Sequence, residues 1–144
     1  MKVSIEGAKE LEKQLAKLTK ATAKNQTRKA LKKAAEPLAN AASSNAPVDD
    51  GDLQGSISVG TKLNKAQAKI HRKVKGKDAV EVFVGSSERH AHLVEFGTVK
   101  MSPQPFMRPA WESKQDQVLE DIGKELWKNV NAALARAAKK AAKR

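Results

Sequence analysis

"HLVEFGTVKMSPQPFMRPAWE", residues 92–112, concentrates the large and the stiff side chains of this 144-residue chain. It holds three of the five aromatic residues (Phe96, Phe106 and Trp111) and three of the five prolines, whereas its flanks are rich in Ala and Lys. A chain so poor in large apolar groups has two reasons to gather them in one place. Either the stretch fixes a small core, or it presents a surface that another molecule recognises.

If the stretch fixes a small core, specific side chains in it should be buried or paired. The residues expected to lock the loop and the last helix onto a sheet are Phe96, Phe106, Met107 and Trp111. Pro109 suits the first turn of a helix, where its missing N–H is not needed. Arg108 is a cation at a helix start and therefore calls for a carboxylate partner. Glu95 is the nearest one, and the pair would fasten a short helix to the long one.

Outward from this stretch, apolar residues at spacings of three and four predict helices. One runs from near Gly7 to residues 20–24, and a second runs from about Gln26 to Asn45. Pro37 lies inside the second, where the apolar spacing continues, so we expect a kinked helix. A short helix capped by Ser86 or Ser87 is predicted to end at Gly97. The long C-terminal helix is predicted to start near Pro109.

Alternating apolar residues predict strands between these helices. "AVEVFVGSS" (79–87) gives the clearest strand, and Leu53, Ile57 and Val59 begin a short extended stretch. Weaker alternation over 68–74, before a turn at 75–78, predicts a hairpin with a basic first arm. The expected fold is α+β, a single domain over 1–144. It has two N-terminal helices, one of them kinked, a small mostly antiparallel sheet with a basic hairpin, and a long C-terminal helix packed on the sheet.

Charge is the strongest global signal, with 28 basic against 16 acidic residues and a net charge of +12. This imbalance favours nucleic acid, an acidic protein surface or anionic lipid as a neighbour; lysines that only solubilise Ala-rich helices are the alternative. Two basic segments stand out, a projecting loop or hairpin arm over 61–78 and a C-terminal tail over 135–144. The cations predicted to contact DNA or an acidic partner are Lys62, Lys65, Lys69, Arg72, Lys73, Lys75 and Lys77.

The residues do not indicate an enzyme, a metal-binding protein or a membrane protein. The chain has no cysteine, hence no disulfide or thiolate metal site, and no apolar run long enough to span a membrane. His90 and His92 lack a third well-spaced ligand. Ser86, Ser87, His90 and Glu95 form only a local polar group, without the geometry that defines a triad. We therefore expect no catalytic residue, no metal, no cofactor and no membrane partner, and a protein that is not an enzyme.

Two blocks of the sequence resemble a tail-component family of tailed bacteriophages, found in lambdoid siphophages of the HK type and similar in role to minor tail protein Z. In the first block, "APVDDGDLQGSI", the matching residues that we take as motif positions are Pro47, Gly51 and Leu53. In the second block they are Glu95, Phe96, Gly97, Pro105, Phe106, Arg108 and Pro109. Asp50 stands where the family pattern favours Thr. The resemblance spans roughly residues 30–111.

The resemblance implies a structural protein of the phage neck or tail that completes the tail and joins it to the head. Its partners would be adjoining neck and tail proteins and other copies of itself, in a ring (a hexamer is one candidate) around the DNA channel. It would be located in the virion, and in the host cytoplasm during assembly. The basic loop would face an acidic neighbouring ring or the DNA. The competing hypothesis is a non-specific DNA-binding protein that uses the basic segment and the C-terminal tail.

Overall fold

The computed structural model describes residues 7–72 and 76–143. In chain order its elements are α1 (Ala8–Ala16), α2 (Lys20–Asn45), α3 (Asp52–Ser56), β1 (Ile57–Gly60), α4 (Lys65–Ile70), β2 (Phe83–Ser86), α5 (Ala91–Phe96) and α6 (Met107–Ala142). The α+β prediction is confirmed, including the N-terminal helices, the antiparallel sheet and the long C-terminal helix.

The described residues divide into two compact units, and the boundaries fall inside α2 and α6. The first unit takes its residues from 1–34, 72–81 and 119–144, and the second comprises 35–71 and 82–118. Each long helix therefore contributes its residues to both units.

The first unit is a small three-helix assembly around alanine and branched aliphatic side chains. Its buried core consists of Leu11, Ala30, Leu126 and Val130, and the apolar side chains packed against that core are Leu15, Leu18, Ile122, Trp127 and Leu134. The methyl side chain of Ala30, fully buried, permits close helix packing. Around this core, Lys33 Nζ lies 2.9 Å from Glu125 Oε1, which links α2 to α6.

The second unit holds the sheet, the three short helices and the adjoining parts of α2 and α6. β1 and β2 are antiparallel, with Ile57 opposite Ser86 and Gly60 opposite Phe83. The hydroxyls of Ser56 and Ser86 lie 2.6 Å apart and join α3 to β2. The buried apolar side chains of this unit are Ala35, Leu38, Ala39, Ala42, Ala46, Phe106, Ala110 and Val118. Phe106 is the only aromatic ring in that set and its largest fully buried side chain.

The N-terminal helices divide at a different place from the one predicted. α1 ends at Ala16, and α2 already begins at Lys20, rather than near Gln26. The Thr19 hydroxyl accepts a hydrogen bond from the Thr22 N–H at 3.3 Å, which satisfies a donor that the first turn leaves free. α2 continues through Pro37, as the unbroken apolar spacing predicted.

The extended arm predicted over 68–74 is wrong where the structure describes it. Lys65–Ile70 is helical, and the strand partner of β2 is β1 rather than the basic segment. The side chain of Asn64 accepts from the Gln67 N–H at 2.8 Å, and the Gln67 side chain accepts from the Asn64 N–H at 3.1 Å. This reciprocal cap stabilises a first helical turn. Residues 73–75 of the predicted arm lie outside the described residues.

Smaller corrections concern the ends of the short elements. Leu53 belongs to α3 and not to an extended stretch. Neither Ser86 nor Ser87 caps α5, which follows His90; the Ser86 hydroxyl accepts instead from the Glu88 N–H. The helix does end at Gly97, and Pro109 does lie in the first turn of α6, as predicted.

Candidate functional site

The Glu95 carboxylate holds the first turn of α6. It accepts hydrogen bonds from the backbone N–H groups of Phe106 at 2.8 Å, Met107 at 2.9 Å and Arg108 at 3.0 Å. These are donors that a helix cannot satisfy within itself. The predicted carboxylate partner of the helix start is therefore Glu95, but its hydrogen bonds go to backbone rather than to the guanidinium. α5 and α6 are thus joined through the acid of the Glu-Phe-Gly block and the backbone of the Pro-Phe-Met-Arg-Pro block.

Opposing effects set the acidity of this carboxyl group. Burial raises the pKa of Glu95, but the N–H groups of Met107, Phe106 and Arg108 and the positive charge of Arg108 together lower it below its ordinary value. Hydrogen bonds to the ionised form favour that form. Glu95 is therefore a charged helix cap near neutral pH.

Gly97 shapes the loop that connects the two helices. Its φ of +75° is in the left-handed region, and a Cβ there would lie 2.8 Å from the Met101 carbonyl oxygen and from Pro103 Cδ. Only glycine fits such an approach without displacement of the backbone. The Thr98 N–H donates to the Met101 carbonyl at 2.8 Å and so closes a tight turn. The Gln104 N–H then donates to the Val94 carbonyl at 2.8 Å, which fastens the loop onto α5.

The first sequence block joins the same unit through the end of α2. Asn45 Nδ2 donates to the Phe106 carbonyl at 3.4 Å. The Ser43 hydroxyl donates to the Gln54 carbonyl at 2.9 Å, and Gln54 Nε2 returns a bond to the Ser43 carbonyl at 3.1 Å. α3 is thereby anchored to the end of α2.

A cleft of about 610 Å³ opens where the two blocks meet. From the first block it is lined by the motif residues Pro47, Gly51 and Leu53 and by three aspartates, Asp49, Asp50 and Asp52. The opposite side carries Glu88, His90, Ala91, Val94, Met101 and Gln104. The motif residues of the second block are not part of its lining. The sequence blocks therefore build one site from segments about 40 residues apart.

The apolar side chains of the opening stretch have two different environments. Phe106 is 1% exposed, as expected for a residue that locks the loop, whereas Phe96 is 67% exposed. The expectation that Phe96 and Trp111 are buried is wrong, because Trp111 is also half exposed. Val99 at the tip of the turn is fully exposed, and Met101 is partly exposed. A rigid loop that exposes several apolar groups is typical of a contact surface.

The predicted basic contacts lie on the surface wherever the structure describes them. Lys62, Lys65, Lys69, Arg72 and Lys77 are all exposed, whereas Lys73 and Lys75 lie outside the described residues. The Lys77 carbonyl accepts a hydrogen bond from Lys24 Nζ, and Lys24 also pairs with Asp78 at 3.2 Å. The end of the basic segment is thus attached to α2, within the first unit.

Sequence reasoning missed the acidic side of the cleft and the turn tip. Neither the aspartates Asp49, Asp50 and Asp52 nor Glu88 was among the predicted site residues. Val48, 68% exposed, and Val99 carried no periodic signal that could have selected them. The three aspartates within four residues were the only local feature of the sequence that indicated an acidic surface. That Glu88 lines the same cleft follows from the fold and not from the sequence.

The chemistry that this site can perform follows from its contacts. The Glu95 carboxylate is engaged by three N–H donors, so it is committed to structure rather than to proton transfer. Among the residues that the structure describes, no cluster of three or more His, Cys, Asp or Glu could hold a metal ion. None of the described helices combines the length and the apolar character needed to cross a membrane. The arrangement is suited to binding another macromolecule.

Comparison with models of known protein families assigns the chain to a class. Residues 9–97 match the sequence model described as "Bacteriophage HK97-gp10, putative tail-component", which covers more than half of the chain. The protein belongs to this family of HK97-gp10-like phage tail components, and its role is structural, in the tail of the virion. Neither the curated proteins nor the solved structures yielded a match to the chain.

Proposed function

We propose that the protein completes the phage tail at the neck and joins it to the head, as a ring of identical subunits around the channel that DNA traverses. The observation that carries the proposal is the rigid loop of the second unit. Glu95 and Gly97 fix its backbone, and Phe96 and Val99 remain exposed on it. Burial of such side chains against a neighbouring subunit or an adjoining neck or tail protein would supply much of the contact energy.

In the same proposal, the positive charge of the basic segment attracts a negatively charged neighbour. The exposed cations of the segment 61–78 face either an acidic surface of the adjoining ring or the DNA in the channel. Both partners are negatively charged, and the attraction would be long-ranged and sensitive to salt. During infection the protein is made in the host cytoplasm and incorporated into the virion.

The experiment that tests the proposal removes the protein from an infecting phage by a nonsense mutation. Electron microscopy should then reveal DNA-filled heads beside separate tails, and the purified protein added to that lysate should restore joined, infectious particles. Joined particles in normal number without the protein would contradict a role in head–tail joining.

Non-specific DNA binding is the second candidate, and the exposed cations at the end of α6 favour it. Arg136, Lys139 and Lys140 are exposed and lie on one side of that helix, and Lys143, also exposed, follows its last residue. A protein with this function would bind duplex DNA of any sequence and would be found with host or phage DNA rather than in purified virions. Detection of the protein in purified virions, at the junction of head and tail, would reject this alternative as the principal function.

A further inference from the structure

The second unit carries two surfaces of opposite charge. The acidic cleft is defined here by Val48, Asp49, Asp50, Asp52, Glu88 and Met101. Among the described residues, no lysine or arginine lines it, although the chain has 28 basic residues against 16 acidic ones. None of its four carboxylates takes part in a salt bridge within 7–72 and 76–143. The cleft therefore offers negative charge that the described chain does not neutralise.

The cleft is not merely acidic. Val48 on its rim is 68% exposed and Met101 is 38% exposed, and Leu53 and Val94 also line it. An occupant that fits this surface needs a large apolar side chain with cations beside it.

The second surface, the α4 surface, is defined here by Lys62, Lys65, Lys69 and Ile70. Every residue of α4 is exposed, and Ile70 is 87% exposed. Lys65 and Lys69 are four residues apart and thus lie on the same side of the helix. The reciprocal cap between Asn64 and Gln67 stabilises this helix without burial of its own side chains. α4 thus displays one branched apolar group and several cations on an ordered element.

We propose that the α4 surface of one copy docks into the acidic cleft of the next copy. Ile70 would lie against Val48 and Met101, and the ammonium groups of Lys65 and Lys69 would face the carboxylates of the cleft. This inference rests on the proposed assembly of identical subunits and identifies the surfaces that it uses.

The two surfaces share no residue, which determines the symmetry of the contact. A contact between two clefts would place four carboxylates opposite four others, and a contact between two α4 surfaces would place lysines opposite lysines. Both contacts are unfavourable because like charges repel across an interface. Cleft against α4 is the arrangement in which charges and apolar groups match. A contact between two different patches is head-to-tail and generates a ring when its rotation closes, whereas a self-complementary contact stops at a dimer.

Cysteine trapping tests the contact directly, because the chain has no cysteine of its own. Full-length Val48→Cys and Ile70→Cys proteins are prepared separately, mixed and mildly oxidised, in solution at high concentration and again after incorporation into virions. The mixture should give a disulfide-linked dimer at roughly ten times the yield of either variant alone, since a disulfide requires Cβ atoms about 4 Å apart. Ala21→Cys, at an exposed position of α2 that belongs to neither surface, is the matched control and should not cross-link to Ile70→Cys.

Charge reversal provides an independent measurement. The double variant Lys65→Glu/Lys69→Glu and the double variant Asp49→Lys/Asp50→Lys should each weaken self-association about tenfold or more, and a chain that carries all four changes should recover it. Lys139→Glu/Lys140→Glu makes the same change of net charge on exposed α6 and should leave self-association unaltered. Circular dichroism of each variant checks that the fold is retained.

The outcomes separate this inference from the proposed function. Joined particles that contain the Cys variants but give no cross-link between positions 48 and 70, with both reversed variants still assembling normally, would overturn the inference and leave the function standing. Cross-links that form chiefly within a single variant would replace it by a two-fold contact. Head–tail joining that does not require the protein would reject the proposed function itself, whatever the cross-links in solution.

Discussion

Glu95 is a charged side chain whose main contacts are backbone N–H groups. Its carboxylate satisfies three donors at the start of α6, a task that an N-cap residue within the helix usually performs. We expect Glu95→Gln to destabilise the protein by about 1–2 kcal/mol, since loss of a cap typically costs this much. Urea unfolding at neutral pH measures the change, and Glu112→Gln, an exposed acid on α6, is the control for the loss of one charge.

The lowered pKa of Glu95 makes the same contribution dependent on pH. The N–H bonds favour the ionised form, so the stabilisation is fully present above the pKa of an unfolded glutamate and is lost as the pH falls through the lowered native pKa. The difference in stability between the native chain and Glu95→Gln should therefore shrink in acid. A difference that stays constant over the acidic range would mean that the carboxylate charge does not contribute.

Gly97 is required by its backbone conformation and by its neighbours. Gly97→Ala should destabilise by roughly 2 kcal/mol or more, since the left-handed conformation alone costs an alanine about 1–2 kcal/mol and the new Cβ would meet the Met101 carbonyl and Pro103. Gly55→Ala is the matched control because a Cβ there meets nothing within 4 Å in the helical α3, and it should be neutral or stabilising. Thermal unfolding of the two variants compares them, and equal melting temperatures would contradict this account.

Sequence patterns predicted the short elements less reliably than the long helices. The alternation of Ala68 and Ile70 suggested a strand, but two apolar residues at a spacing of two occur by chance in a helix that buries neither face. Asn64 and Gln67, the cap pattern of a helix start, were the signal that could have corrected it. Conversely, β2 (Phe83–Ser86) lies within the strand predicted over 79–87, although Val80 and Val82 of the same alternation precede it.

Within the α5–loop–α6 segment, Phe106 packs in the core of the unit, whereas Phe96 is exposed and available for contact with another molecule. Phe106→Ala should destabilise by about 3–5 kcal/mol, since the ring is fully buried. Phe96→Ala should change stability by no more than about 0.5 kcal/mol because its ring is largely exposed, yet it should reduce the yield of joined particles. Chemical unfolding and plaque titres measure the two effects. Normal titres with Phe96→Ala would remove that ring from the proposed contact surface.

At the scale of the whole chain, sequence patterns predicted α1, α2, α5 and α6, but neither the short helices α3 and α4 nor the site that the second unit forms. The Asp49–Asp50 turn and Glu88 lie almost 40 residues apart, and nothing local indicates that they line one cleft. The resemblance implied the tail role, which the family match supports. It could not assign the motif residues to tasks, because Glu95 and Phe106 support the site from within whereas Pro47 and Leu53 line it.

If the protein contacts DNA in the proposed ring, the distribution of its positive charge determines which element makes that contact. From Ala135 onward the described part of α6 buries no side chain. Its cations Arg136, Lys139 and Lys140 lie on one side, and the exposed Lys143 follows the helix. If they contact phosphates, their replacement by Gln should lower the slope of log affinity against log salt concentration by about 0.9 for each lost contact. Fluorescence anisotropy with a duplex DNA, at salt concentrations from about 50 to 200 mM, measures the slope.

The matched control removes equal charge elsewhere, through Gln at the exposed positions Lys9, Lys17, Lys29 and Lys32. Both variants should keep the wild-type unfolding midpoint, because none of the replaced side chains is buried. A slope that falls only for the α6 variant assigns DNA contact to this helix and places it towards the channel in the proposed ring. If the two variants have equal slopes, the α6 cations do not contact DNA specifically, and an acidic protein surface remains the partner that their charge favours.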